Sequence, residues 1–508
     1  MASLSGLFIS LFLFILSLIY VYKWRCNKAL KPRKNLPPSP RKIPIIGNLH
    51  QLDAFPYRSL CSLSQRYGPL MLLHFGKVPV LVASSFDAAH EILKNNDLAF
   101  SNRPKSSITN KIAYGSKDVA FSPYGEYWRQ MRSICVLQLL SNKRVQSFKR
   151  VREEETSIMI DTIRRLGCSS CPVNLSDLLA SLTNGVICRA AFGKKYDKEG
   201  EGYNFKKSLE EVGKLLGTLC IGDYIPWLSW IDHISGLHAK LDKVTAQFDE
   251  FLDGVIKEHR DQESENRVFG GNKDQLDFVD ILLQFQRENK DTSPIEDASI
   301  KAIILDMFAA GTDTTYTALE WTIAELLRNP KTLKILKNEV RTVAGIKEEI
   351  TEKDLSKMQY LKLVIKESLR LHGPAPLLVP RESTKDTTIM GYDIAAGTQA
   401  VINYWAIGRD PSLWEHPEEF RPERFFHTNI DYKGLDFELL PFGVGRRGCP
   451  GRSFALSIYE LALAKLVHKF DMISPSGERG EDLDMSEVNG IVKYKKFPLM
   501  VLAIPVAS

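Results

Sequence analysis

One stretch restricts the fold of this chain more than any other: Phe442-Gly443-Val444-Gly445-Arg446-Arg447-Gly448-Cys449-Pro450-Gly451. Its glycines let the backbone turn tightly and approach a flat ligand closely. An apolar helical pattern from about Phe454 to Phe470 follows at once. The cysteine therefore stands before a helix N-terminus, where the dipole and the free amides favour a thiolate. A lone cysteine is more often an inert buried hydrophobe. The spacing of Phe442, Gly445, Arg447, Cys449 and Gly451 argues against that here.

Helical patterns dominate the rest. Leu70 to Phe75 and Val78 to Val82 read as short strands flanking Gly76. From Ala88 onward the pattern is mostly helical. The longest run, about Ile295 to Leu327, is bounded by Pro294 and by Asn329-Pro330. On it Ile303, Met307, Ala310 and Thr314 share a face. A second helix spans about Leu355 to Leu371, short strands follow to about Ile402, and Glu258 to Asp277 reads as a polar surface loop. No βαβ rhythm appears, so a Rossmann or barrel enzyme is excluded. The expected fold is mainly α, one large helical domain with a small β-rich region.

Location is read from the N-terminus. No charged residue occurs before Lys23, and Leu7 to Tyr22 is almost wholly apolar. That length suits a membrane-spanning helix. Lys23, Arg25, Lys28, Lys31, Arg33 and Lys34 follow, which places the body on the cytosolic side. A signal peptide would carry its basic residues before the apolar run. The expected organisation is an anchor over 1–24, a basic and proline-rich linker over 25–40, and one domain over 41–508. The sequon Asn174-Leu175-Ser176 would then stay unglycosylated. Eight cysteines in 508 residues suit a reducing compartment, and the lone Cys168/Cys171 pair lacks the second pair a zinc site needs. A net charge of +6 with no reading motif leaves no footprint of a nucleic-acid binder.

The cysteine segment resembles the haem-binding loop of cytochromes P-450, F-x-x-G-x-R-x-C-x-G. Four more segments resemble that family's motifs in the same order. Trp128 and Arg132 match W-x-x-x-R; Ala310-Gly311-Thr312-Asp313-Thr314-Thr315 matches the oxygen-activation segment; Glu367-Ser368-Leu369-Arg370 matches E-x-x-R; Pro422-Glu423-Arg424-Phe425 matches P-E-R-F. The style, including Phe121-Ser122-Pro123-Tyr124-Gly125-Glu126-Tyr127-Trp128, is similar to plant microsomal enzymes of specialised metabolism, notably the family that contains menthofuran synthase.

The resemblance implies a haem b cofactor with Cys449 as axial iron ligand. A thiolate in that place donates electron density to iron and promotes O–O cleavage. It implies that Trp128, Arg132, Arg381, Phe442 and Arg447 hold the haem, the arginines at its propionates. It implies that Glu367, Arg370 and Arg424 form a buried structural network. Asp313 and Thr314 would relay protons, whereas mid-helix Gly311 admits either a close helix crossing or a local opening for oxygen. Asp306, Ala310, Leu377, Leu378 and Ile491 would face a substrate pocket, although Asp306 admits an equal reading towards polar neighbours. The expected reaction is oxidation of a small apolar plant metabolite, a terpenoid first and an alkaloid or phenylpropanoid next. It would use O2 and NADPH electrons passed through a separate reductase at the endoplasmic reticulum membrane, docked near Arg129 and Arg446. Two rivals are an O2-independent haem isomerase or dehydratase, against which the intact Asp313-Thr314 pair argues, and a non-enzymatic haem or lipid carrier. One departure is His372-Gly373-Pro374, where plant relatives commonly carry His-Pro-Pro; it predicts a more flexible loop.

Overall fold

The computed structural model describes residues 35–506 apart from 168–170, 197–204, 270–275, 292–293, 346, 476–479 and 489, and isolated positions before residue 35. The expected anchor, most of the linker, Cys168 and Asn489 therefore lie outside the described residues. Among the described residues no helix is long and apolar enough to cross a membrane.

The central helix is Asp297–Arg328. Both ends of it, Ser299 to Leu305 and Thr317 to Leu327, are buried almost without interruption. A helix apolar all round must sit inside the fold. It packs most extensively on Leu175–Phe192 and also on Gln359–His372 and Arg452–Lys469. The last of these is the helix expected behind the cysteine. Asn174 accepts the Asp177 amide as the N-cap of Leu175–Phe192, which gives the sequon asparagine a structural use.

The β region is small and lies to one side. Leu70–Phe75 pairs antiparallel with Val78–Ala83, which runs parallel to Gln399–Ile402; Arg381–Glu382 closes the edge. Alternate residues pack on opposite faces: Met71, Leu73, Val80, Val82 and Val401 on one, Leu70, Leu81, Ala83, Ala400 and Ile402 on the other. Strands buried on both faces read as unbroken apolar runs, as these do. A second sheet joins Val173–Asn174, Met500–Pro505 and Phe470–Ile473. A separate hairpin pairs Glu487–Val488 with Tyr494–Lys495.

Two expected boundaries change. The polar stretch from Glu258 is not a loop at its start: helix Leu237–Phe269 runs on through it. His259 carries the buried stripe of Val255 and Ile256 into it, while Arg260, Asp261 and Gln262 are exposed, so the polarity marks a solvent face. Asp277 ends the stretch as the capping residue of Phe278–Glu288. The helix expected from Leu355 breaks into Glu352–Leu355 and Gln359–His372. The Glu339 carboxylate accepts the Tyr360 and Leu361 amides at 2.7 and 2.9 Å, which satisfies a fresh helix start.

Candidate active site

The cysteine loop is built by its glycines. Gly443 and Gly445 take φ of +62° and +69°, a region open to glycine without strain. The Cys449 amide donates to the Phe442 carbonyl at 2.8 Å, which folds the loop back on itself. A Cβ on Gly445 would lie 2.9 Å from Asp97 Oδ1. Asp97 in turn accepts from Arg381 Nη1 at 3.1 Å and from Arg446 Nε at 3.0 Å. Phe442 is half-buried, edge-on to Tyr432.

Burial pushes the Cys449 thiol up; the Gly451 and Arg452 amides and the Arg132 and Arg452 charges pull it back down. Cys449 lies where burial raises its thiol, yet the residue keeps accessible surface. That combination fits a thiol at the wall of an internal void. The central helix shows the same contrast. Between its two buried ends, Ala310 is exposed and Asp306, Met307, Gly311, Asp313 and Thr314 are half-exposed. The Thr314 hydroxyl donates to the Ala310 carbonyl at 2.6 Å. Asp313 Oδ2 accepts from the Tyr494 hydroxyl at 2.8 Å. Gly311 serves the helix crossing, since a Cβ there would come within 2.9 Å of Ile187 Cδ1.

Cations gather beside this void. Arg103, Arg381 and Arg447 are buried, and Arg103 feels the charges of Arg381, Arg447 and Arg132. Arg447 reaches the carbonyls of Ser101 and Ser122 at 2.8 and 2.7 Å, and its guanidinium lies 4.1 Å over the Trp128 ring. Trp128 Nε1 donates to Val119 O at 3.0 Å, and Arg132 Nη2 to Gly448 O at 2.6 Å. Burial, then the neighbouring Arg381, lowers the Arg447 guanidinium. Four guanidiniums so placed leave a buried positive excess, which calls for an anion.

A thiol backed by amides, a void against a helix, and buried cations around it form a donor set that fits a flat, dianionic iron porphyrin. Cys449 would hold the iron, and Arg132, Arg381 and Arg447 its carboxylates. A family model described as Cytochrome P450 matches residues 37–500. The chain belongs to the cytochrome P450 family. It is 55% identical to (+)-menthofuran synthase of Mentha piperita over 98% of each chain. It is 49% identical to tabersonine/lochnericine 19-hydroxylase of Catharanthus roseus, over 100% of this chain and 99% of that one. A zebra fish cytochrome P450 solved with progesterone shares the fold at a TM-score of 0.74 and 26% identity, over 89% of this chain and 99% of that one. The protein is thus a P450 monooxygenase and not a carrier.

In this P450 the E-x-x-R pair is fully buried. Arg370 clasps Glu367 through Nε at 2.8 Å and Nη2 at 2.9 Å. Arg424 Nε reaches Glu367 Oε1 at 3.0 Å, and the Arg421 amide reaches the same oxygen at 2.7 Å. The spare guanidinium hydrogens go to carbonyls of Gly408, Pro417 and Glu419 from Arg370 and of Glu415 and His416 from Arg424. The network thereby sews the helix Gln359–His372 to the meander before the cysteine loop.

Gly373 is buried and closely packed. A Cβ on it would lie 2.4 Å from the Tyr404 ring and 3.0 Å from Leu369 O. Tyr404 is buried and donates to Leu369 O at 2.9 Å. His372 is stacked 4.5 Å from Trp321 and bridges Lys493 at 3.1 Å to Glu325 at 2.7 Å.

The residues expected at the substrate face do not all converge. Leu377 packs with Met71 and Val80 on one sheet face; Leu378, at φ +51°, packs with the cluster on the other. Ile491 is half-buried on the turn of the last hairpin, beside Gly217. Asp306 turns towards polar neighbours, accepting the Val119 and Ala120 amides at 2.7 and 3.2 Å. Sequence reading missed Asp97, Arg103, Asp118 and Tyr494. Asp97, Arg103 and Tyr494 meet their partners far along the chain or through backbone carbonyls, and Asp118 adds to a local bond with the Phe121 amide an interaction with distant Asp306.

Proposed function

We propose that this P450 oxidises a small apolar plant metabolite, a terpenoid in the first place, with O2 and NADPH electrons passed from a separate reductase. The single observation that carries the reading is a pair of openings in an otherwise packed interior: an accessible thiol at Cys449, and a central helix that is accessible around Ala310 between two buried ends. Haem b held by that thiol would supply the oxygen-activating iron. The chain's own part is to exclude water, seat the substrate against Ala310, and deliver protons from Asp313 and the Thr314 hydroxyl. Tyr494 fixes the carboxylate, and the Ala310 carbonyl fixes the hydroxyl. The terpenoid preference rests on the relative named for menthofuran; an alkaloid follows from the one named for tabersonine and lochnericine.

The cytosolic face of the endoplasmic reticulum is the proposed location. Support comes from the apolar N-terminal run and from a patch of exposed apolar side chains. Trp227, Trp230 and Ile234 lie on a segment whose neighbour Tyr224 accepts the Lys77 amide. Ile43 and Ile45 join through Gly47, bridged to Phe75. Lipid would cover such a patch.

Reconstitution with a reductase under labelled O2 tests the reaction. One labelled oxygen should enter a terpenoid product for each NADPH consumed. In Thr314→Ala, NADPH consumption should persist while product falls at least tenfold and peroxide rises. Product formed without NADPH, or tight coupling in that variant, overturns the reading.

A further inference from the structure

We propose that Asp118 and Asp306 form a carboxyl pair sharing one proton, and that this pair positions the strap Lys117 to Ser122 on the central helix, holding the Val119 carbonyl where Trp128 and Arg447 converge. The pair deepens the site described above, but its geometry stands whatever the substrate is.

Each carboxyl spends one oxygen on the strap. Asp306 Oδ2 accepts the amides of Val119 and Ala120, and Asp118 Oδ2 accepts the amide of Phe121 at 2.8 Å. The other oxygen of Asp118 is buried and finds no N–H or O–H donor. Asp306 is held beside it, since it bonds the two amides that directly follow Asp118, and the charge of Asp118 acts on it. Two ionised carboxylates in contact inside a protein repel strongly, whereas one proton between them turns the repulsion into a hydrogen bond. Burial first, then each other's charge, holds Asp306 well above the usual carboxylate range; burial likewise raises Asp118.

Among the described residues, charged and titratable groups from three elements face the pair. Arg103 and Arg447 come from the cationic cluster, Tyr127 from the helix Glu126–Ile134, and Cys135 from the turn after it. Arg103 and the strap amides pull Asp118 down, yet burial outweighs them. The consequence is mechanical. Val119 lends its amide to Asp306 while its carbonyl takes Trp128 Nε1 and Arg447 Nη1. Arg103 closes the strap from behind through Ala120 O, Val379 O and Pro380 O. One residue thereby links the central helix, the Trp128 helix and the cysteine loop.

The sign of the pH effect follows. The unfolded chain releases these protons near the ordinary aspartate value of about 4. The folded chain keeps one to higher pH. The pair's contribution to stability therefore falls as pH rises from about 4 to the pair's own value and is flat above it.

Infrared difference spectra of the full-length holoprotein against Asp306→Asn and Asp118→Asn test the proton. At neutral pH the wild type should show a D2O-sensitive carboxylic-acid carbonyl band that both variants lose. Taking the difference removes any contribution of other carboxyls that burial raises, such as Glu320 and Glu460. The side-chain amide of Asp306→Asn can donate to the orphan oxygen of Asp118, so this variant should keep the strap and lose the fall in unfolding temperature between pH 5 and pH 8. In Asp306→Ala, deuterium exchange of the amides from 117 to 122 should rise at least tenfold. Absence of the band, an unchanged pH dependence in Asp306→Asn, or unchanged exchange in Asp306→Ala overturns the proposal. A thiolate-type carbon monoxide spectrum in the same samples reports on the cysteine site separately.

Discussion

At the scale of single residues, the decisive groups are charged and buried, and each is tied to backbone. Glu367 and Arg370 show the rule most fully: no water reaches either side chain, and every lone pair or hydrogen that matters has a protein partner. Removing one member strands the other. Arg370→Ala should therefore cost about 3–5 kcal/mol, seen as a large drop in the urea midpoint, and should yield protein that carries little haem. Normal haem content with an unchanged midpoint would contradict the structural role. Spacing made this pair legible, because residues three apart share a helical face. Asp97 was not legible. It bonds Arg381, 284 positions away in sequence, and nothing local marks it as the residue that receives the cysteine loop.

Between elements, fit decides more than propensity. The sequence His372-Gly373-Pro374 reads as a loosened loop, but Tyr404 occupies the space a side chain at 373 would need. Adding one methyl group, Gly373→Ala, should destabilise the protein by about 1–3 kcal/mol, the usual cost of overpacking. In a Tyr404→Leu background the same change should cost clearly less, because the two positions are coupled. Equal costs in both backgrounds would show that the crowding is not what holds this junction. The same junction explains why His372 stays neutral: burial, then the adjacent Lys493, push it down to about 4. Helix ends were legible where proline or an apolar period marked them, as at Pro294 and Pro330. They were illegible where a remote carboxylate, Glu339, starts a helix, and where a polar solvent face, Glu258 to Phe269, imitates a loop.

Across the whole molecule, the architecture follows from burying one long apolar helix. The E-x-x-R helix and the last helix pack on it, the P-E-R-F turn packs on the E-x-x-R helix, and the Trp128 helix is tied to the long helix through the strap. The motif order in the sequence therefore carried the fold, while the residues that would meet a substrate were not readable from it. The apolar patch around Trp227 and Trp230 belongs to this scale too. In vesicles made with brominated lipid, full-length protein should lose tryptophan fluorescence, and Trp227→Phe/Trp230→Phe should show distinctly less quenching. Identical quenching would remove the patch from the membrane.

The central claim is a bond between Cys449 sulfur and haem iron. The most direct measurement is the carbon monoxide difference spectrum of the reduced, purified protein beside that of Cys449→Ser. A strongly red-shifted Soret band in the first, absent in the second, is the predicted result. A band at the ordinary histidine-type position in the wild type, or the same red-shifted band in both, would contradict the account.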